Sequence, residues 1–254
     1  MEETKVIYIS SVDREKIGVS KTHDFKIKLK TTYKLDKDKR HEIAVDTVMM
    51  TYSWHNISEN LGNNKIKYTH DGGENWTTIT FVDGMYSYED INNYINQYMI
   101  RETHATKDKY PINIQFILSS YRVIIELDNN YQVDLRGTEF GNLLGFDKKI
   151  VSSTEYSVRL PNITNSVDKI NIHSDIIVNS ILSGYSDNLL AVIPTNDLRR
   201  SFSFKYEPLR LLFNEVNKTK LNELRFYITD ALGRPVDLNG IDWFMTLIMR
   251  SRPI

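Results

Sequence analysis

Apolar and polar residues alternate with a period of two in several short segments, which is the pattern of half-buried β-strands. In residues 25–29 the apolar Phe25, Ile27 and Leu29 would face a core while the intervening lysines face solvent. The same pattern predicts further strands at residues 43–49, 76–82, 112–118, 121–127, 169–177, 189–193, 201–206, 223–229 and 241–250. Turn signals separate them at residues 71–73, 83–84, 128–130, 233–235 and 239–240. About ten strands at this spacing predict an all-β sandwich or barrel.

One segment has helical rather than strand periodicity. Ser87 is suited to cap a helix, and Asp90 follows three residues later. Apolar side chains then recur at the spacing of one helix face, at Ile91, Tyr94, Ile95, Tyr98 and Met99. A second, short helical turn is predicted at residues 138–144, ending at Gly145.

The composition is that of a globular protein. The chain has 254 residues, of which 41% are hydrophobic, and this is enough for one large β domain. The sequence contains no Pro/Ser-rich linker and no internal repeat. The economical interpretation is therefore a single domain over residues 1–254 with an internal insertion of unknown boundaries. The weakest stretch, and so the candidate seam, is residues 148–154.

Charge and cysteine content exclude several classes of function. The 32 basic residues nearly balance the 33 acidic ones, so no global field attracts nucleic acid or anionic membrane. The first forty residues hold a local excess of lysine and arginine, which leaves open whether this N-terminal segment contacts nucleic acid. The absence of cysteine excludes disulfides and thiolate zinc sites. The apolar stretch at residues 6–9 is too short for a signal-peptide core or a membrane span, so no membrane association is expected.

The sequence carries no recognisable catalytic, metal or cofactor motif. The histidines, which lack metal-ligand spacing, are His23, His41, His55, His70, His104 and His173. Neither a glycine-rich phosphate loop nor a G-x-S-x-G elbow occurs. Residues 71–74 (DGGE) lack the ligand register of a calcium loop and predict a hairpin turn. We therefore expect no enzyme activity, no catalytic residue, no metal site and no cofactor, although histidines on alternate strands could still meet as in cupins.

Several short motifs follow one another along the chain, beginning with residues 9–14 (ISSVDR) and 25–29 (FKIKL). These two motifs and their order resemble the start of the penton (minor capsid, vertex) proteins of virophages and Polinton-type viruses. A strand like residues 41–50 (HEIAVDTVMM) comes next in the family, followed by a motif like residues 52–57 (YSWHNI). The family's later elements resemble residues 63–66 (NNKI), 82–91 (VDGMYSYEDI), 143–146 (LLGF) and the C-terminal hairpin at residues 228–240.

The resemblance implies an all-β fold, a single jelly-roll β-sandwich with one short amphipathic helix and loop insertions. It also implies a virion structural protein that assembles inside the host cell. Such proteins self-associate as homopentamers at icosahedral vertices and contact a double jelly-roll major capsid protein.

Two other functions remain open at this stage, because a fold alone does not fix a function. A carbohydrate-binding or host-attachment module could use the same sandwich, with Trp54, Trp76 and exposed tyrosines as its binding face. The chain could also be a domesticated viral gene that no longer serves a virion.

Overall fold

The computed structural model describes residues 3–15, 21–103, 110–164, 167–177, 180–182, 185–195 and 203–253. They form two compact units, and each is described by itself. Unit 1 comprises Met1–Trp54 and Ser166–Ile254, and unit 2 comprises His55–Asn165. The seam expected at residues 148–154 lies inside unit 2, where the chain forms a short strand rather than a linker.

The strands and helices follow one another along the chain as β1 (Glu3–Ser10), β2 (Asp24–Lys34), β3 (Lys39–Thr51), β4 (Lys65–Thr69), β5 (Thr77–Thr80), α1 (Tyr88–Thr103), β6 (Ile112–Ile117), β7 (Arg122–Leu127), β8 (Gln132–Asp134), α2 (Phe140–Leu144), β9 (Ile150–Val151), β10 (Glu155–Tyr156), β11 (Lys169–Ser174), β12 (Ser180–Leu182), β13 (Tyr185–Asp187), β14 (Leu189–Pro194), β15 (Ser203–Tyr206), β16 (Asn214–Glu215), β17 (Lys220–Thr229) and β18 (Phe244–Pro253). The predicted strands recur among them with shifted ends. Residues 201–202 of one prediction lie outside the described residues.

Unit 1 is built on two antiparallel sheets. One has the strand order β1-β18-β3-β15, with the short β16 also paired to β3, and the other has the order β14-β11-β17-β2. Without the short β12, β13 and β16, unit 1 has eight strands along the chain: β1, β2, β3, β11, β14, β15, β17 and β18. The first of these pairs with the eighth, the second with the seventh, the third with the sixth and the fourth with the fifth. This nested pairing is the topology of a jelly roll. The predicted all-β jelly-roll fold is therefore confirmed.

Strand β3 corrects one predicted pattern. Residues 43, 45, 47 and 49 were expected to share the core face, but Met49 is 50% exposed while Val48 and Met50 are buried. The pairing of β3 with β18 shifts register between Thr246 and Leu247, which leaves an extra residue in β3. Such a bulge reverses the side-chain alternation beyond it, so the second half of the strand presents the opposite set of residues to the core.

Strand β18 is central in its sheet, because it pairs with both β1 and β3. The residues expected on its core face are Ile241, Trp243, Met245, Leu247 and Met249, and the last four are buried. Ile241 is the exception, since it is 43% exposed. It precedes the strand, and its N–H donates to the Leu238 carbonyl within a turn.

Unit 2 contains a sheet of order β5-β4-β8-β9 and a sheet of order β10-β7-β6. Helix α1 buries Ile91, Ile95 and Met99 in the core of this unit. Its start is as predicted, because the Ser87 hydroxyl accepts from the Asp90 N–H while the Asp90 carboxylate accepts from the Ser87 N–H. Within the described part of the chain, no helix is both long and apolar enough to span a bilayer.

Candidate assembly surface

His41 and His173 are engaged in local hydrogen bonds. His41 contacts the Ser251 hydroxyl and the Asp36 carbonyl, each at 2.8 Å. The buried His173 contacts the Thr229 hydroxyl at 3.0 Å. Among the described residues, no group of three or more His, Asp or Glu side chains is arranged to hold a metal ion. His104 lies outside the described residues.

The S-x-D-R motif, residues 11–14, connects the N-terminal and C-terminal segments of unit 1. Asp242 accepts hydrogen bonds from the Ser11 hydroxyl at 2.7 Å and from Arg14 Nη1 at 2.6 Å. The backbone N–H of Trp243 donates to Ser11 Oγ, and its indole Nε1 donates to the Thr22 carbonyl. These bonds fix the segment after β1 against the segment before β18, so the motif has a structural role.

Asn56 has a comparable role in unit 2. Its side chain is fully buried, and Nδ2 donates to the carbonyls of Tyr86 and Ile163 at 2.7 Å each. Its Oδ1 accepts from the Tyr86 N–H, also at 2.7 Å. Within unit 2, the Asn56 side chain and the backbone hydrogen bonds between Ile57 and Gly84 thus join two of the motifs that carry the family resemblance.

Residues 71–74 form the predicted hairpin turn, between β4 and β5. The Asp71 carboxylate accepts from the Thr69 hydroxyl, from the backbone N–H groups of Glu74 and Asn75, and from the Asn75 side chain. These donors hold the pKa of Asp71 well below its ordinary value, with the Thr69 bond as the largest cause. The carboxylate organises the turn itself.

The aromatic platform considered for glycan binding does not form at Trp54. That side chain is 3% exposed, and its ring packs at 4.9 Å from the ring of Tyr52. A sugar-binding platform requires an accessible ring face, so Trp54 cannot serve as one.

The outer face of the β1-β18-β3-β15 sheet carries an exposed apolar surface. Tyr8 on β1 is 71% exposed and stacks on Phe244 of β18 at a centroid distance of 6.2 Å. Phe244 is paired in register with the half-exposed Met49 of β3. Val6 and Val12 are also more than half exposed. We call these five residues the apolar face.

The apolar face has the chemistry of a protein contact. A groove of about 490 Å³ runs along its end, lined in part by Val12, Met49 and Phe244. Single exposed apolar side chains are ordinary, whereas a contiguous set marks an interaction surface. Tyr, Phe and Met are also enriched where protein interfaces are fully buried.

A second apolar surface lies on the segment between β15 and β16. Leu209 is fully exposed and Leu212 is 63% exposed, and we call residues 208–213 the leucine segment. Leu212 also lines a groove of about 220 Å³ with Val45 of β3 and Val192 of β14. The leucine segment therefore exposes apolar side chains beside a shallow apolar groove.

Unit 2 has its own exposed apolar residues, at Leu118, Tyr121, Tyr156, Val158 and Leu160. Tyr156 and Val158 flank the buried Ser157 along an edge segment, where the Ser157 N–H donates to the Val123 carbonyl. This unit thus offers a further candidate contact surface.

The alternation and motifs of the sequence do not predict these exposed apolar surfaces. The apolar face combines residues from β1, the following turn, β3 and β18, which only the folded sheet brings together. The sequence did contain one signal for the leucine segment: residues 208–213 (PLRLLF) are strongly apolar and contain a proline. That composition fits neither a solvated loop nor a regular strand.

No family model matches the chain, and no curated protein matches its sequence. Among solved structures, the chain is similar to the mavirus penton protein with a TM-score of 0.53 and 12% sequence identity, covering 99% of this chain and 100% of that chain. A structure of the Sputnik virophage matches with a TM-score of 0.46 and 11% identity, covering 98% of this chain and 97% of that chain. The chain therefore has a fold similar to that of the mavirus penton protein over the full length of both.

Proposed function

We propose that this protein is a viral capsid protein that forms pentamers at the vertices of an icosahedral shell. The observation that carries the proposal is the likeness to the mavirus penton protein, which extends over the whole of both chains. The jelly-roll topology of unit 1 and its exposed apolar face support it. In this proposal the protein acts by assembly rather than by catalysis, it is located in the virion, and it assembles inside the host cell.

The contact around a five-fold axis must be heterologous, because a ring joins one surface of each copy to a different surface of the next. Unit 1 offers two apolar surfaces that could serve as such a pair, the apolar face and the leucine segment. A contact that holds in isolation must bury roughly 1,200–2,000 Å² per pair. We propose that the apolar face of one copy packs against the leucine segment of its neighbour.

The surrounding shell supplies the second kind of partner in this proposal. A vertex protein must fit between the capsomers of the faces, and we assign that role to a double jelly-roll major capsid protein. The exposed edge of unit 2 is a candidate surface for this second contact. If the shell supplies much of the binding free energy, the isolated chain can be monomeric and become pentameric only at the vertex.

Co-expression with the double jelly-roll capsid protein of the same genome tests this proposal. Cryo-electron microscopy of the resulting shells should show this chain as a five-fold ring at each vertex. Shells made without it should have open or absent vertices. Complete shells that exclude the chain, or that carry it on the faces, would contradict the vertex assignment.

A further inference from the structure

One end of unit 1 concentrates basic side chains from three segments that are distant in sequence. They lie at the β2–β3 turn, in the segment that leads into β17, and at the end of β18. The basic residues are Lys34, Lys37, Lys39, Arg40, Lys218, Lys220, Arg250 and Arg252, and the acidic residues of the same segments are Asp36, Asp38, Glu42 and Glu215. We call this set the basic end. With Glu3 and Asp175, which pair with Lys39 and Lys218, the basic end holds eight cations against six anions, whereas the whole chain has a net charge of -1.

Strand pairing places like charges directly opposite one another here. Lys34 of β2 is paired in register with Lys220 of β17, and Arg40 of β3 is paired with Arg252 of β18. Like charges at directly opposite positions destabilise a sheet. The two pairs belong to different sheets, so both layers of the jelly roll carry an unfavourable pair at the same end. Glu42 already lies 3.7 Å from Arg40 Nε and 4.0 Å from Arg252 Nε, so the pair that a bound anion would relieve is that of Lys34 and Lys220.

The acidic neighbours neutralise only part of this charge. Arg250 Nε lies 2.6 Å from Glu42, Arg40 Nη2 lies 3.1 Å from Glu215, and Lys218 Nζ lies 2.6 Å from Asp175. Lys39 Nζ is shared between Glu3 at 3.6 Å and Asp36 at 3.8 Å. Within the described ranges, Lys34, Lys37 and Lys220 form no ion pair. These three ammonium groups are available to an external anion.

The basic end surrounds a groove of about 660 Å³, which is lined in part by Lys37, Lys39, Arg40 and Lys218. The described lining contains no Phe, Tyr or Trp on which a base could stack, and the ring nitrogens of its one histidine, His41, contact Ser251 Oγ and the Asp36 carbonyl. It also lacks the exposed Trp, Phe or Leu that inserts into a bilayer surface. A concave cationic groove with these properties suits a chain of phosphates better than bases or lipid.

We propose that the basic end of unit 1 binds the phosphate backbone of nucleic acid, without preference for base sequence. The phosphate contacts are made by Lys37, which lines the groove, and by Lys34 and Lys220, which are next in sequence to its lining residues Leu35 and Thr219, while the paired Arg40 and Lys218 shape the groove. This inference uses only the geometry of unit 1 and does not rest on the vertex assignment.

Fluorescence anisotropy with a labelled DNA duplex of mixed sequence tests the inference. The full chain should bind at low salt, and its affinity should fall linearly with salt on a double-logarithmic plot. The triple variant Lys34→Gln/Lys37→Gln/Lys220→Gln should bind about tenfold or more weakly, with a salt slope shallower by about 2–3, because each phosphate contact contributes about 0.9 to that slope. A second duplex of unrelated sequence should bind equally well.

The control variant Lys21→Gln/Lys28→Gln/Lys30→Gln makes the same change in charge elsewhere in unit 1, and it should retain the wild-type affinity and slope. Equal losses in both variants would show a general effect of net charge and would overturn the inference. Failure of the wild type to bind DNA at low salt would overturn it as well. Binding to phosphatidylserine vesicles without binding to the duplex would assign the basic end to lipid headgroups instead.

Discussion

Gly145 illustrates how single residues fix the structure of unit 2. It follows α2 with a φ of 80°, in the left-handed region, and its N–H donates to the Asn142 carbonyl. A Cβ atom at this position would lie 2.3 Å from the carbonyl oxygen of Arg159. Both the backbone conformation and the available space therefore require glycine, and this accounts for the glycine of the LLGF motif.

Replacing Gly145 with alanine should lower the free energy of unfolding by about 2–4 kcal/mol, because the strain of a left-handed backbone conformation is added to the clash with the Arg159 carbonyl. Chemical denaturation of the full chain measures the change. Gly62→Ala separates the two causes, because Gly62 also has a positive φ but its Cβ would meet open space. That control should cost only about 1–2 kcal/mol. Equal effects of the two substitutions would show that the Arg159 carbonyl moves aside at little cost.

The Asp71 turn should make a pH-dependent contribution to stability. A carboxylate whose pKa is lowered in the folded state stabilises that state above its unfolded pKa, and the benefit is lost as pH falls. Asp71→Asn should therefore lower the melting temperature near neutral pH, and the difference from wild type should shrink below about pH 4. Glu74→Gln removes the same charge from the same turn and serves as the control. A difference that stays constant across the pH range would contradict this role of Asp71.

At the scale of elements, periodicity predicted the position of most long strands and of both helices. It failed where strand pairing, rather than local sequence, determines which residues face the core. The bulge in β3 reverses the alternation after Asp46, and only the pairing with β18 reveals it. Strand β1 was not predicted, because its apolar residues 6–9 form a short continuous run without the alternation of a half-buried strand. Its core face becomes clear only through the pairing with β18.

Strand β18 should be indispensable for folding of unit 1. Burial of Trp243, Met245, Leu247 and Met249 contributes roughly 6–12 kcal/mol as an upper bound, comparable to the net stability of a whole domain, about 5–15 kcal/mol. Truncation after Asn239 should abolish cooperative unfolding of unit 1. A soluble truncated chain whose jelly roll still melts cooperatively would contradict this expectation.

Two point variants test β18 in a chain that still folds. Leu247→Ala removes a fully buried side chain and should cost about 2–5 kcal/mol, measured as a shift of the denaturation midpoint. Ile241→Ala alters an exposed residue that precedes the strand and should cost far less. Similar costs would place both residues in the core.

At the scale of the whole chain, the local sequence pattern predicts only part of the surfaces proposed for assembly and for phosphate binding. The apolar face and the basic end each collect residues separated by more than a hundred positions, and no local pattern records that distance. The leucine segment and the lysine-rich part of the basic end within the first forty residues are local in sequence. The ordered motifs did predict a fold similar to that of penton proteins. Their individual residues, such as Ser11 and Asn56, proved to hold segments together. The motifs therefore predict the fold, whereas the proposed contact surfaces are formed largely by residues outside the motifs.

The pairing of the apolar face with the leucine segment predicts complementation between two variants. Tyr8→Lys and Leu209→Lys should each prevent ring formation and vertex incorporation, because each places a charge in an apolar contact. If the wild-type chain forms rings in isolation, a mixture of the two variants retains one intact surface of each kind and should pair as dimers of about 59 kDa, twice the 29.7 kDa of the chain. Val82→Lys, at an exposed apolar residue of unit 2 outside the proposed contact surfaces, should assemble normally. Normal rings from either interface variant would contradict the proposed pairing.

Native mass spectrometry of the chain, alone and after co-expression with its double jelly-roll capsid protein, tests the vertex assignment most directly. The assignment predicts monomers of 29.7 kDa, pentamers of about 148 kDa, or a mixture of the two in isolation, with pentamers after co-expression. A dominant, stable dimer or trimer, with no pentamer even after co-expression, would contradict it.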